Sequence, residues 1–124
     1  MSGNLYVVFN RPPSDVSDSD FNDWAIDHYR EILAVPGWAS AQRFRLVSGT
    51  KPDGGIGALE SFGYMSLYEI DGDVQTAIAD MRKAGDSGKY DFPPWYPRAV
   101  EESCFASWSA LPLSEIRLRG SESQ

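Results

Sequence analysis

Histidine and cysteine are almost missing from this chain: among 124 residues there is one of each, His28 and Cys104. A single cysteine cannot close a disulfide within the chain, which fits a reducing compartment. One histidine and one cysteine also cannot assemble a His- or Cys-rich metal site. Asp71 and Asp73 read as turn and helix-cap residues, so no metal and no cofactor are expected. Long apolar runs are lacking, and no segment reaches membrane-spanning length. The start, Met1-Ser2-Gly3-Asn4-Leu5, has no basic stretch followed by an apolar one, so a secretory leader is not expected. The expected location is cytoplasmic. Positive charge is scarce as well: 11 Lys and Arg face 18 Asp and Glu, a formal net charge of −7. Such a surface repels phosphate backbones and anionic lipid, which argues against nucleic-acid and membrane partners. Asp53-Gly54-Gly55-Ile56-Gly57 lacks the lysine and the strand-to-helix setting of a phosphate loop, and no dinucleotide fingerprint is present.

What remains is enough for one folded domain. Hydrophobic residues make up 42% of the chain and charged ones 23%, which rules out wholesale disorder. Leu5 to Phe9 is β-branched and aromatic and reads as a buried strand, stopped by Arg11-Pro12-Pro13. The polar run Ser14 to Asp20 offers helix N-caps, Asp18 or Ser19 foremost. Phe21, Trp24, Ala25, His28, Ile32 and Leu33 then recur at helical spacing, and Pro36-Gly37 ends that helix. Trp38 to Val47 alternates as a second strand, with Trp38, Ser40, Gln42 and Phe44 on one face and Ala41, Arg43 and Arg45 on the other. Ser48 to Glu60 is glycine-rich and reads as a loop. A third strand, Phe62 to Ile70, puts Tyr64, Ser66, Tyr68 and Ile70 on one side. Val74, Ala77, Ile78 and Met81 form the stripe of a second, shorter helix. Gly85 to Pro97 is an irregular aromatic connection, and Val100 to Leu111 reads as the fourth strand.

The order is β-α-β-β-α-β, the split pattern of an α+β, ferredoxin-like domain. It predicts a four-stranded antiparallel sheet with both helices on one face, occupying residues 1–113, and a tail at 114–124. Large apolar side chains stand at both parities of the strands, so both faces of the sheet need cover. A second copy of the same sheet is the simplest cover, and a homodimer is expected.

Phe21-Asn22-Asp23-Trp24, His28, Glu31 to Trp38 (Glu-Ile-Leu-Ala-Val-Pro-Gly-Trp) and Ser40 to Arg45 together resemble the dimeric α+β barrel superfamily, and within it the EthD-like branch. Tyr68-Glu69-Ile70 before an acidic turn is similar to the third strand of that branch. The resemblance covers roughly residues 4 to 110 and implies two sheets closing a barrel across a dimer. It further implies a cleft between each sheet and its own helices. Superfamily members include monooxygenases, cyclases, isomerases and haem-handling enzymes, so no single reaction follows. Two features depart from the branch: Ala25 stands where many members have Tyr, and the aromatic stretch at 90–97 is long.

His28 lies four residues after Trp24 and seven after Phe21, on the inner stripe of the helix. An imidazole there can exchange a proton near neutral pH, and a core histidine with a hydrogen-bonded neighbour is the plainer alternative. Tyr68 is the candidate to orient a substrate oxygen beside it. Trp24, Phe21, Tyr64 and Tyr6 are candidate substrate contacts, and Trp95 and Tyr96 a candidate aromatic cap. Arg43 and Arg45 could bind a carboxylate, although alternating arginines on an outer strand are more often solvated. Cys104 has core-like neighbours and reads as a small buried hydrophobe.

Three functions compete. One is a cofactor-independent lyase, isomerase, cyclase or dehydratase acting on a hydrophobic carbonyl or aromatic compound, with His28 moving the proton. A second is a non-catalytic ligand-binding accessory dimer. The third is a haem-binding or cofactor-free oxygenase member of the fold, with His28 as an axial ligand in the haem case.

Overall fold

The computed structural model describes residues 3–47 and 62–113. The expected loop at 48–60 and the expected tail at 114–124 lie outside the described residues. The elements run β1 (Asn4–Asn10), α1 (Asp18–Leu33), β2 (Trp38–Arg45), β3 (Tyr64–Ile70), α2 (Val74–Asp86), α3 (Tyr96–Glu101) and β4 (Phe105–Ala110). The four strands form one antiparallel sheet in the order β2-β3-β1-β4. This is the ferredoxin-like arrangement. No described helix is long and apolar enough to cross a membrane.

Local chemistry explains the boundaries. The cap of α1 is Ser17, one residue before Asp18 and two before Ser19. Its hydroxyl accepts the Asp20 N–H at 3.1 Å, leaving Asp18 and Asp20 as favourable charges in the first turn. The helix ends before Gly37, whose φ of +93° lets the chain reverse. A side chain there would press on Ala77 and on the Asp71 carbonyl, each 3.4 Å from its Cβ. Asp73 caps α2, accepting from the Thr76 N–H and hydroxyl at 2.8 Å.

Three sequence expectations fail here. The fourth strand begins at Phe105, not Val100, because residues 96–101 form α3 with a proline in its first turn. Val100 and Glu101 therefore belong to a helix, and Cys104 is buried in the turn before β4. Leu33 is 38% exposed and lies off the inner stripe; Tyr29 takes that place, between Ala25 and Ile32.

The third failure concerns β2. Its pairing with β3 shifts between Trp38 and Ser40, a bulge that changes the side-chain parity. Trp38 consequently joins Ala41 and Arg43 on the helix-covered face. Gln42 and Phe44 go to the other. By register, Tyr6, Val8, Asn10, Tyr64, Ser66, Tyr68, Ile70, Phe105 and Ser107 share the helix side.

The core lies between this face and the two long helices. Ile32, Val35, Trp38, Tyr68, Ile70, Val74, Ala77 and Ile78 pack together. Trp38 Nε1 donates to the Ala77 carbonyl at 2.9 Å, pinning β2 to α2. On the far side of the sheet stand Leu5, Val7, Phe9, Met65, Leu67, Phe44 and Trp108, and Trp108 is 53% exposed.

Candidate active site

Between α1 and the sheet lies a cavity of about 250 Å³. It exists because the inner face of α1 alternates large and small residues. Ala25 leaves room beside the sheet, while Trp24, His28 and Tyr29 stand around the gap. Tyr6, Val8, Asn10, Ser66, Tyr68 and Arg43 form its floor on the strands, and Met81, Tyr96 and Phe105 close its sides.

His28 is held from three directions. Its ring stacks on Trp24 at 4.9 Å and 15°. Tyr90 meets it edge-on at 5.3 Å, and Phe92 lies 6.3 Å away. Its Nδ1 is 3.2 Å from Glu31 Oε1. A carboxylate only accepts, so Nδ1 carries the proton and Nε2 is the ring's remaining nitrogen. The other Glu31 oxygen accepts the Asp91 N–H at 2.7 Å. One carboxylate thus ties the imidazole on α1 to the aromatic connection after α2.

Burial lowers the His28 pKa below its ordinary 6.5, and the hydrogen bond and charge of Glu31 oppose this only in part. The imidazole is therefore neutral at pH 7. Replacing Glu31 with glutamine removes the charge that favours the imidazolium. The His28 titration midpoint is then expected to fall further. His28 is the only histidine, so its ring-proton NMR shift against pH reads this unambiguously. A midpoint that rises in the variant would contradict the assignment.

The opposite end of the cavity is a polar network. Arg43 Nε donates to Asn22 Oδ1 at 2.7 Å, and Nη1 donates to the Tyr29 hydroxyl at 2.9 Å and Ser66 Oγ at 3.3 Å. The Tyr29 hydroxyl and Ser66 Oγ are also hydrogen-bonded, and Asn10 Nδ2 donates to Ser66 Oγ at 3.4 Å. The guanidinium lies over the Tyr64 ring, 4.6 Å from its centroid, and 5.5 Å from that of Phe21. Buried polar atoms remain without partners at Asn10 Oδ1, Trp24 Nε1 and Arg43 Nη2. All three residues line the cavity.

Sequence-predicted residues divide accordingly. His28, Tyr68, Trp24, Tyr96 and Tyr6 share the cavity wall; Phe21, Tyr64 and Trp95 do not. Phe21 is fully buried, in ring contact with Trp24, Trp95 and Tyr64. Tyr64 supports Arg43 from below and donates its hydroxyl to Asp18 Oδ2 at 2.7 Å. Trp95 packs edge-on against Trp24 at 5.3 Å and borders an outer groove beside Asp15 and Arg98. Of the aromatic pair only Tyr96 reaches the cavity. Tyr68 is buried among Tyr6, Tyr29 and Trp38, which raises its pKa far enough to keep the phenol protonated. Tyr29 and Asn10 were missed as site residues, and Arg43, weighed against a solvated position, lines the cavity together with Ser66. The ladder of Tyr64, Ser66 and Tyr68 was a signal for Ser66; only the bulge places Trp38 on the same side as Arg43.

No family model and no curated protein matches the sequence. Solved structures do match over nearly the whole chain. A dabb family protein with a ferredoxin-like fold from Mesorhizobium loti aligns over 90% of this chain and 97% of its own, with a TM-score of 0.56 and 13% identity. A hydroxynitrile lyase from Passiflora edulis aligns over 92% and 96%, with a TM-score of 0.54 and 16% identity. An ethyl tert-butyl ether d (EthD) family protein from Bacillus halodurans aligns over 91% and 97%, with a TM-score of 0.52 and 17% identity. The shared property is the fold, a four-stranded antiparallel sheet with helices. The same fold carries an enzyme in the Passiflora lyase.

Proposed function

We propose that the chain is a small-molecule enzyme that transfers a proton at a carbon next to a carbonyl, in a lyase, isomerase, cyclase or dehydratase reaction. The observation that carries this reading is the His28 imidazole on the cavity wall. Its Nδ1–H is engaged by Glu31, and burial holds it neutral, so Nε2 can act as the base. Tyr68, a protonated phenol on the same wall, donates to the carbonyl oxygen as negative charge develops there. Trp24, Tyr96 and Phe105 exclude water from an apolar substrate body. The likeness in fold to a hydroxynitrile lyase is compatible with proton chemistry but does not single it out. At about 250 Å³ the cavity falls below the roughly 300–1,000 Å³ of sites for drug-sized ligands. A porphyrin exceeds it, and a single-ring compound suits it.

The test needs no knowledge of the product. A panel of small enolisable ketones, aldehydes and keto acids is incubated with the protein in D2O, and loss of the α-proton signal is followed by NMR. Accelerated exchange in the wild type, absent from His28→Gln, supports the proposal. Equal rates in both proteins would overturn it.

The assembly we propose is a homodimer through the open sheet face. Phe9 contacts Trp108 edge-on at 5.7 Å and Phe62 at 6.2 Å, so the patch is continuous across strands. No described helix covers it. Trp108→Glu places a charge at its centre, and sedimentation is expected to report a shift from dimer to monomer at micromolar protein. An unchanged mass would exclude this face as the interface.

A further inference from the structure

Resting on the reading of this cleft as a proton-transfer site, we propose that its substrate is a small organic monoanion whose acidic group is held by Arg43. The charge distribution carries the argument. The chain has a net charge of −7, yet no described Asp or Glu lines the cavity. With His28 neutral, Arg43 is the one charged side chain on that wall among the described residues. Its guanidinium forms no ion pair with a described carboxylate. A half-buried cation without a counter-charge is costly, and a bound anion relieves that cost.

Arg43 is also aimed in advance. Nε and Nη1 are fixed by Asn22, Tyr29 and Ser66, and the plane rests on Tyr64. Nη2 makes no hydrogen bond and is the donor left over at this end of the site. That nitrogen can donate a charge-assisted hydrogen bond to an acid group. A single guanidinium balances one negative charge. Trp24, Ile32, Met81 and Phe105 give the wall an apolar stretch that can receive an apolar body. The substrate class is therefore a single-ring or short branched carboxylic acid bearing the reactive carbonyl. Its acid end sits at Arg43 and its reacting carbon faces His28.

The experiment uses benzoate and benzamide, which share size and ring but differ in charge. Calorimetric titration of the full chain is expected to show benzoate binding at least tenfold tighter than benzamide. Arg43→Gln should reduce that ratio to about one, and Arg43→Lys should restore part of it. Because Arg43→Gln also breaks bonds to Tyr29 and Ser66, the wild type provides a second readout. The Arg43 Nε–Hε NMR signal should move on adding benzoate and stay in place with benzamide. Equal affinities, no saturable benzoate binding, or a silent Arg43 signal would overturn the proposal. His28→Gln should keep the benzoate preference, so a failure of proton exchange and a failure of anion recognition are separately visible.

Discussion

Replacing His28 with glutamine is expected to slow the proposed proton transfer by about 10²–10⁴-fold, the range by which a positioned acid–base group accelerates a reaction. Glutamine is the informative substitution because its amide N–H can still donate to Glu31. The link from α1 to the Asp91 backbone is then retained. What is lost is a nitrogen that can take up a proton. The stacking face presented to Trp24 also shrinks, so a modest loss of stability accompanies the loss of rate. A residual rate above a tenth of wild type would remove His28 from the mechanism.

The pH dependence has a definite sign. Burial places the folded-state pKa below 6.5, so the neutral form needed for the proposed base predominates at pH 7. The acidic limb of kcat/KM should lie below 6.5, and the rate should be flat from there toward neutrality. Stability follows the same proton. As pH falls through 6.5 the unfolded chain binds a proton before the folded one does, and the folded state loses ground. The contribution is complete above 6.5 and declines across the window between 6.5 and the lower folded value. In His28→Gln this part of the pH dependence of stability should vanish.

How far the sequence reveals this site depends on the kind of signal each residue carries. His28 is legible because helical spacing from Phe21 and Trp24 leaves only one face for it. Tyr68 is legible because strict alternation from Tyr64 to Ile70 survives intact in β3. Arg43 is not, because its environment depends on a bulge between Trp38 and Ser40 that no turn residue announces. Alternation alone puts Trp38 and Arg43 on opposite faces; the extra residue brings both to the helix side. The six-residue α3 is equally silent. It is too short for a periodic stripe, and Pro97 within a run of aromatics reads as a loop. Likewise Trp95 and Tyr96 are adjacent in sequence but diverge by a helical step. Tyr96 thereby reaches the cavity and Trp95 is directed to the outer groove.

The largest loss of stability is expected from Trp38→Ala, about 3–5 kcal/mol, the range for truncating a buried aromatic to alanine. Trp38 is only 4% exposed and sits where β2, β3 and α2 meet. Its ring contacts Tyr6 at 5.4 Å and Tyr68 at 5.3 Å, both edge-on, and its indole N–H donates to the Ala77 carbonyl at 2.9 Å. Truncation therefore opens a void and also removes a hydrogen bond that joins the second helix to the sheet. The interior is packed too closely for its neighbours to refill such a space. A domain of this size has only about 5–15 kcal/mol of stability in total, so the variant should unfold at much lower urea. Trp38→Phe separates the two contributions: it keeps most of the ring and loses the donor, and should cost about 1–3 kcal/mol. Urea denaturation at one fixed protein concentration measures both, since association would otherwise shift the midpoint. The consequence reaches the site, because Tyr6 and Tyr68 form the cavity floor on one side and pack on Trp38 on the other. Trp38→Phe should therefore weaken benzamide binding as well as stability, through the altered position of the two tyrosines. A Trp38→Ala protein less than 1 kcal/mol below wild type would mean that β2 does not hold its bulged register in solution, and the inward placement of Arg43 would fall with it.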